Sequence, residues 1–166
     1  MLRDLIVGPH QISFDITNKC NLRCLHCYNS SGENLASQNE LTDQEVLDFI
    51  DEFKSIKLLN FCFCGGEPLL RKELIVEAAK RLRTYGCENV AMVSNGILMT
   101  DEVIEELINA GVTRIQISLD GIKAESHDRI RNKKGVYEKA TRAIEALVKH
   151  GVDTAVAFTP TSFNIS

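Results

Sequence analysis

The sequence predicts an α/β fold built from parallel βα units, and three observations support this. Five short apolar segments, rich in β-branched and aromatic residues, alternate with four segments of helical periodicity. Three of the strand-like segments follow a glycine suited to end a helix, at Gly86, Gly111 and Gly151. The 166 residues contain no long linker and no low-complexity segment, which fits one domain. Such alternation occurs both in open doubly wound sheets and in barrels.

The first half of the chain supplies two strands and two helices. QISFDITN, residues 11–18, predicts the first strand, and LLNFCFCGG, residues 58–66, is a buried-looking second strand that ends in glycines. Between them, Thr42 and Glu45 have the spacing of a capping box, and apolar residues continue at helical spacing through residue 53. A second helix is predicted from about Pro68 to Tyr85.

The second half repeats a helix, a glycine and a strand. Strands are predicted within residues 85–96, 110–121 and 150–160, where β-branched and apolar residues dominate. Helices at about 101–110 and 136–150 separate them. The prediction is therefore five strands and four helices.

Composition excludes several classes of protein. Acidic and basic residues are interspersed with a net charge of -4, which does not resemble a nucleic-acid binder or a membrane-surface protein. The apolar run at the N-terminus is too short and too polar for a signal peptide or membrane span, so we expect a cytoplasmic protein. In a reducing cytosol, the six cysteines are expected to be thiols or metal ligands rather than disulfides.

Every unusual group of residues follows a predicted strand. The first strand leads into three cysteines, the second into GGEP, the third into SNG and the fourth into SLDG. In parallel α/β folds, ligands bind at the carboxyl ends of the strands. The sequence therefore predicts that these loops meet around one site.

The three cysteines, Cys20, Cys24 and Cys27, are one ligand short of a structural zinc site. They suit a [4Fe–4S] cluster in which three irons are held by thiolates and the fourth is open to another ligand. The alternative is a zinc ion with His26 as the fourth ligand. His26 adjoins Cys27, and neighbouring side chains reach one tetrahedral ion with difficulty.

These motifs together resemble those of the radical S-adenosylmethionine (SAM) enzymes. CNLRCLHC matches the CxxxCxxC pattern of that family, and GGEP, SNG, SLDG and HDRIRNKKGVYEKA follow in the family's order. The resemblance implies a partial parallel (β/α)6 barrel, with the amine and carboxylate of SAM chelating the open iron. It also implies that residues 1–166 form a radical SAM core domain that ends after about the fifth strand and is incomplete at its C-terminus.

The GGEP motif is read as part of the SAM site. Gly65 and Gly66 have no side chains, so their backbone carbonyls can approach a ligand closely. Glu67 is a candidate partner for the methionyl ammonium group, and Pro68 suits the first turn of a helix. A plain turn between strand and helix explains the glycines and the proline, but leaves the carboxylate without a role.

Four further SAM contacts are implied by the resemblance: His26, Asn95, Ser118 and Arg131. His26 stands where the family often has an aromatic residue that contacts adenine, and Tyr28 is an alternative. Without the resemblance, Asn95 with Gly96 is a common turn signal, and Arg131 is an ordinary solvated charge at a helix end.

Three other cysteines fall outside the motif. Cys62 and Cys64 alternate with phenylalanines, so both are expected on one face of the second strand. We expect them to be small buried residues, the alternative being thiols close to the cluster. Cys87 lies at the opposite ends of the strands and is expected to be incidental.

The resemblance implies the reaction. A reduced cluster cleaves SAM into methionine and a 5′-deoxyadenosyl radical, which abstracts a hydrogen from a substrate, while the protein supplies orientation and excludes water. An external electron donor is then required. The motifs look most like those of the SPASM or Twitch enzymes, which modify peptides or proteins. The alternatives are a radical SAM enzyme acting on a small molecule or tetrapyrrole, a zinc-stabilised binding module, and a nucleotide-binding module without chemistry.

Overall fold

A computed structural model describes residues 8–32, 39–56 and 58–165. Five parallel strands form one sheet, and each strand pairs with the next along the chain. The strands are β1 (Gln11–Asp15), β2 (Asn60–Cys64), β3 (Asn89–Ser94), β4 (Arg114–Ser118) and β5 (Asp153–Ala157). The order lacks the reversal that defines a doubly wound sheet, and it is the order of a barrel. The predicted α/β fold with a parallel sheet is confirmed. The apolar run at the N-terminus lies largely outside the described residues.

Five α-helices connect the strands in the described part of the chain. They are α1 (Asp43–Asp51), α2 (Lys72–Thr84), α3 (Asp101–Ala110), α4 (Ala124–Arg131) and α5 (Val136–Lys149). Short 3-10 segments cover Glu52–Ser55 and Pro68–Arg71. Within the described ranges, none of these helices has the length and apolar character needed to span a membrane.

The four predicted helices are present, and a fifth, α4, was missed. Its sequence, AESHDRIR, is almost entirely polar, and no side chain caps its first turn. Its backbone ends at Asn132, which adopts the left-handed conformation with φ 54°. The helix carries Arg131 as its last residue, so the missed element positions a predicted site residue.

The two faces of the sheet have different environments. On β2, the side chains of Phe61 and Phe63 are buried, and the central strands continue this face with aliphatic side chains from β3 and β4. They form the core together with apolar residues of the helices. The opposite face is half-buried and holds small or polar residues such as Cys62 and Gln116. At the carboxyl ends of the strands, this second face adjoins the loops that follow them.

Helix ends follow the sequence signals. The capping box at α1 is present, with the Thr42 side chain accepting from the Glu45 N–H and the Glu45 carboxylate accepting from the Thr42 N–H. Gly111 ends α3 at φ 96°, and a Cβ there would lie 2.4 Å from Cγ of Arg83. Only glycine fits this turn without displacing a neighbour.

Candidate active site

A cavity of about 370 Å³ opens at the carboxyl ends of the strands. Nine of the ten predicted site residues line it: Cys20, Cys24, His26, Cys27, Gly65, Gly66, Asn95, Ser118 and Arg131. They come from the exits of β1 to β4 and from the end of α4. The convergence predicted from the loop positions is therefore present in the fold, although the role of each residue in binding stays a prediction. Glu67 is the exception and is described below.

The three motif cysteines are free thiols of intermediate exposure in the loop after β1. Hydrogen-bond donors already face each sulfur. The backbone N–H of Leu22 lies 3.4 Å from Sγ of Cys20, and that of Ser31 lies 3.4 Å from Sγ of Cys27. The guanidinium of Arg131 lies 3.7 Å from Sγ of Cys24. Such donors orient and stabilise thiolate ligands of iron–sulfur clusters.

Burial raises the pKa of the Cys20 thiol and of the Cys24 thiol. For Cys24, the charge of Arg131 and its hydrogen bond act in the opposite direction and favour the thiolate. A buried thiol beside a cation is well suited to lose its proton when a metal binds.

The described side chains do not form a compact site for a single metal ion. Within residues 8–32, 39–56 and 58–165, no three His, Cys, Asp or Glu side chains converge closely enough to hold one metal ion. A zinc site needs all its ligands within about 2.3 Å of one centre. The cysteines of a [4Fe–4S] cluster bind separate irons and need not meet at one point. His26 is directed to a carboxylate instead, since its Nε2 lies 3.3 Å from Oδ2 of Asp120.

Glu67 lies beneath the cavity rather than in its wall. Its side chain is fully buried, and burial raises the pKa of its carboxyl group. The carboxylate accepts hydrogen bonds from the Ser94 hydroxyl at 2.8 Å and the Asn95 N–H at 2.9 Å. It also accepts one from the Leu69 N–H at 3.2 Å, which caps the 3-10 segment. These contacts give the carboxylate a role in joining two strand exits, and its pairing with an ammonium stays a prediction.

Gly65 and Gly66 contact the cysteine loop closely. A Cβ on Gly65, which has φ 119°, would lie 2.3 Å from the Thr17 carbonyl oxygen, and one on Gly66 would lie 2.1 Å from that of Lys19. The Gly66 N–H donates to the Thr17 oxygen, and the Glu67 N–H donates to the Lys19 oxygen. The glycines are therefore required for packing against the chain that leads into Cys20, whatever their role toward a ligand.

Asp120, in the SLDG loop, is a site residue that the sequence analysis did not single out. It is fully buried, and its Oδ2 lies 2.6 Å from a guanidinium nitrogen of Arg131 and 3.3 Å from Nε2 of His26. Its Oδ1 accepts from the N–H of Thr159, beyond β5. Burial is the main cause that lowers the pKa of His26, while Asp120 acts in the opposite direction.

Two side chains hold neighbouring loops in place. His127 on α4 is buried and accepts the Asp120 N–H at its Nδ1, at 3.0 Å, and burial lowers its pKa. Asn95 donates to the Asn21 side chain at 2.7 Å and accepts the Ile97 N–H. The SNG loop is thereby tied directly to the cysteine loop.

Several buried polar atoms around the cavity have no hydrogen-bond partner among the described residues. They are Nδ2 of Asn21, Nδ1 of His26 and Nε of Arg131. Buried polar groups are rarely left unpaired in native proteins, so ordered water or a bound ligand is expected next to these atoms. A polar, partly charged molecule such as SAM, next to a cluster, fits this donor set.

Comparisons with known proteins agree on one family. The family model of the radical SAM superfamily matches residues 14–164. The chain is 39% identical over 145 residues to the AdoMet-dependent heme synthase of Methanosarcina barkeri, covering 86% of this chain and 40% of that protein. It is 34% identical over 161 residues to the mycofactocin maturase MftC of Mycolicibacterium smegmatis, covering 95% and 39%. The chain thus spans about two fifths of the length of these relatives.

Solved structures show the same fold at low identity. The structure of Streptococcus suis SuiB bound to the precursor peptide SuiA matches with a TM-score of 0.76 and 15% identity, covering 97% of this chain and 36% of that chain. The structure of anSMEcpe with bound AdoMet and the Kp18Cys peptide matches with a TM-score of 0.75 and 21% identity, covering 90% and 43%.

We predict that Glu67→Ala destabilises the chain by about 3 kcal/mol, because three buried donors lose a charged acceptor. Chemical denaturation of the metal-free protein measures this difference. Glu73→Ala on the exposed side of α2 is the matched control, with an expected change within about 0.5 kcal/mol. Equal stability of the two variants would contradict the joining role of the Glu67 carboxylate.

Proposed function

Because the chain belongs to the radical SAM superfamily, whose members are enzymes that use a [4Fe–4S] cluster and SAM, we propose that it catalyses hydrogen abstraction from a substrate. The observation that carries the proposal is the convergence of three free thiols and six predicted SAM contacts on one cavity. We propose Cys20, Cys24 and Cys27 as the cluster ligands. We propose that SAM is held by the other predicted residues of the cavity, namely His26, Gly65, Gly66, Asn95, Ser118 and Arg131.

The chain's own residues set the conditions for this chemistry. Cys20, Cys24 and Cys27 would hold a [4Fe–4S] cluster, which would supply the electron for reductive cleavage of bound SAM. Arg131 lies between Cys24 and Asp120, so its charge is balanced on one side by a buried carboxylate and faces a thiolate ligand on the other. Asn95 is held by Asn21 and by the backbone of its own loop, which fixes its side chain before a ligand arrives. Preorganised donors of this kind lower the cost of ordering the site.

The proposed substrate class is a peptide or protein. The likeness to the maturase MftC supports it, as do two solved structures of this fold that hold peptides. A tetrapyrrole is a second candidate, favoured by the 39% identity to a heme synthase. Incubation with each class and analysis of the products would distinguish them.

The experiment that tests the site is anaerobic reconstitution with iron and sulfide. We predict about four irons per chain, as expected for one [4Fe–4S] cluster, and formation of 5′-deoxyadenosine when a reductant and SAM are added. Alanine at Cys20, Cys24 or Cys27 should abolish both. Cys87→Ala is the control and should retain the iron, because this buried thiol lies outside the cavity. Stoichiometric zinc without iron uptake would contradict the proposal.

The same preparation tests the SAM pocket separately from the cluster. Arg131→Ala removes a charged donor from the cavity while all three thiols remain, so iron content should be retained. SAM affinity should fall by about 1–3 kcal/mol, which corresponds to roughly fivefold to 150-fold. If calorimetry shows the same SAM affinity for the variant and the parent, Arg131 is not a SAM contact.

The external electron donor is proposed to approach from the outer side of the cysteine loop. A depression of about 340 Å³ reaches Cys24 and Cys27 from that side, next to Leu25 and Asn132. It adjoins a larger groove of about 680 Å³ that shares Leu25 and Asn132 with it. The two depressions together give a partner access to two of the three thiols without entering the SAM cavity.

The charges around these depressions fit an acidic partner. Four exposed bases line them: Arg23, Arg129, Lys133 and Lys134. Glu125 and Asp128 are the acidic residues of the same lining, so the four bases outnumber them by two. The surface is therefore locally basic on a chain whose net charge is -4. An acidic one-electron carrier protein would be attracted to it.

We predict that the double variant Lys133→Glu and Lys134→Glu slows reduction of the cluster by flavodoxin about tenfold at low salt. The exposed pair Lys139→Glu and Lys149→Glu on α5 is the charge-matched control and should retain the parent rate. Stopped-flow absorbance measures the rate, and iron content confirms equal loading. Equal rates for both double variants would place the docking surface elsewhere.

A further inference from the structure

Arg131 is the one charged side chain that donates to a cysteine sulfur in the described part of the chain. Its Nη1 lies 3.7 Å from Sγ of Cys24. The sulfurs of the other two motif cysteines are approached by backbone N–H donors, which carry no net charge. The three motif sulfurs therefore have unequal electrostatic surroundings.

The three cysteines outside the motif have no such contact with a charged side chain among the described residues. The sulfurs of Cys62 and Cys64 lie 3.5 Å apart on β2. Both residues have intermediate exposure, so the expectation that they are small buried residues is wrong. Cys87 is packed into the core, with its sulfur near backbone carbonyl oxygens. The contact between a cation and a sulfur is therefore particular to Cys24.

The guanidinium of Arg131 is held in this position by two restraints. Its Nη2 lies 2.6 Å from Oδ2 of the fully buried Asp120, and the Arg131 side chain is itself only 11% exposed. The backbone of α4 supplies the second restraint, because the Leu25 N–H donates to the Ile130 carbonyl oxygen at 2.8 Å. The residue before Arg131 is thereby bonded to the residue after Cys24, which keeps the arginine close to the sulfur.

The nitrogens of the guanidinium divide the contacts between them. Nη1 contacts Cys24 and Nη2 contacts Asp120, while the buried Nε has no hydrogen-bond partner among the described residues. A ligand in the cavity can therefore bond Nε while the contact with the sulfur persists. The effect of Arg131 on the cysteine can then be measured without SAM.

We propose that Arg131 raises the reduction potential of the [4Fe–4S] cluster through its contact with Sγ of Cys24, in addition to its proposed role toward SAM. This second role rests on the proposed function, since it requires a cluster held by Cys20, Cys24 and Cys27. Reduction adds one electron from the external donor to the cluster and breaks no bond. A cation and a hydrogen bond at one thiolate stabilise the more negative, reduced form more than the oxidised form.

Burial makes this contact effective. Water and salt screen an exposed charge, whereas the Arg131 side chain is largely shielded from solvent. Asp120 carries the opposite charge, but the guanidinium and not the carboxylate contacts the sulfur. The cation is therefore expected to dominate at the cluster, with Asp120 offsetting part of its effect.

A redox titration of the iron-loaded full chain, without SAM, tests this role. The electron paramagnetic resonance signal of the reduced cluster is recorded at defined potentials, with iron content matched between variants. We expect Arg131→Ala to lower the equilibrium constant of one-electron reduction about tenfold, which is a shift of about 59 mV to a more negative potential.

Two other substitutions at the same position extend the test. Arg131→Gln keeps most of the side-chain volume without the charge, so it should shift the potential in the same direction even where the alanine variant does not load iron. Arg131→Lys keeps the charge without the planar fork, so its potential should lie between those of Arg131→Gln and the parent.

The control is Arg142→Ala, which removes an exposed arginine of α5 that does not line the cavity and should keep the parent potential. Arg131→Ala leaves the charge of Asp120 uncompensated, so the double variant Arg131→Ala and Asp120→Asn removes both charges and should still titrate below the parent. A double variant that returns to the parent potential would overturn the proposed role, because the shift would then come from the uncompensated carboxylate.

The iron content separates failure of this role from failure of the proposed function. Equal potentials of the parent, Arg131→Ala and Arg131→Gln at equal iron content would overturn the role of Arg131 and leave the cluster ligands in place. Absence of iron uptake by the parent would overturn the proposed function, and the role of Arg131 with it.

Discussion

The buried carboxylate of Glu67 is the constraint on which the geometry of the site depends. It accepts from Ser94 and Asn95 at the exit of β3, and its own backbone N–H donates to Lys19 in the cysteine loop. One residue thus connects the exits of three neighbouring strands. A buried carboxylate is costly unless donors satisfy it, so the loops can adopt only arrangements that keep those donors in place.

Asp120 has the same function on the other side of the cavity. Its carboxylate contacts His26 of the cysteine loop, Arg131 at the end of α4 and the backbone after β5. The cysteine loop is therefore held by two residues with buried carboxylates. Glu67 contacts it through its backbone N–H, and Asp120 contacts it through the side chain of His26. These contacts fix the part of the loop that carries the three half-exposed thiols. They also hold the donors that face the sulfurs, including Arg131.

Much of this architecture could be predicted because glycines, capping residues and strand alternation are local signals. The five strands and four of the helices follow from them, and so does the convergence of the loops, since the exits of parallel strands share one edge. The missed helix α4 is polar and uncapped, and it is defined by contacts that form only in the fold. Asp120 stands within a quoted motif, but its ion pair with Arg131 joins residues that no local pattern relates.

Three residues show what residue type alone leaves undetermined. Glu67 is predicted to contact a ligand because a carboxylate at a strand end has no evident partner in the sequence. The fold supplies a hydroxyl and two backbone N–H groups as partners, and the pairing with an ammonium stays a prediction. Cys62 and Cys64 were expected to be buried because free cysteines usually are. The alternation of residues along β2 shows that Cys62 and Cys64 share a face, but it does not show whether helices cover that face. Coverage depends on how the whole sheet packs.

We propose that three thiolates leave one iron open and that SAM binds there. Electron paramagnetic resonance of the reduced, iron-loaded chain, recorded before and after addition of SAM, tests this most directly. Ligation at the open iron would change its electronic environment, so we expect SAM to shift the spectrum of the cluster. A spectrum of the same cluster that stays identical at saturating SAM would contradict it.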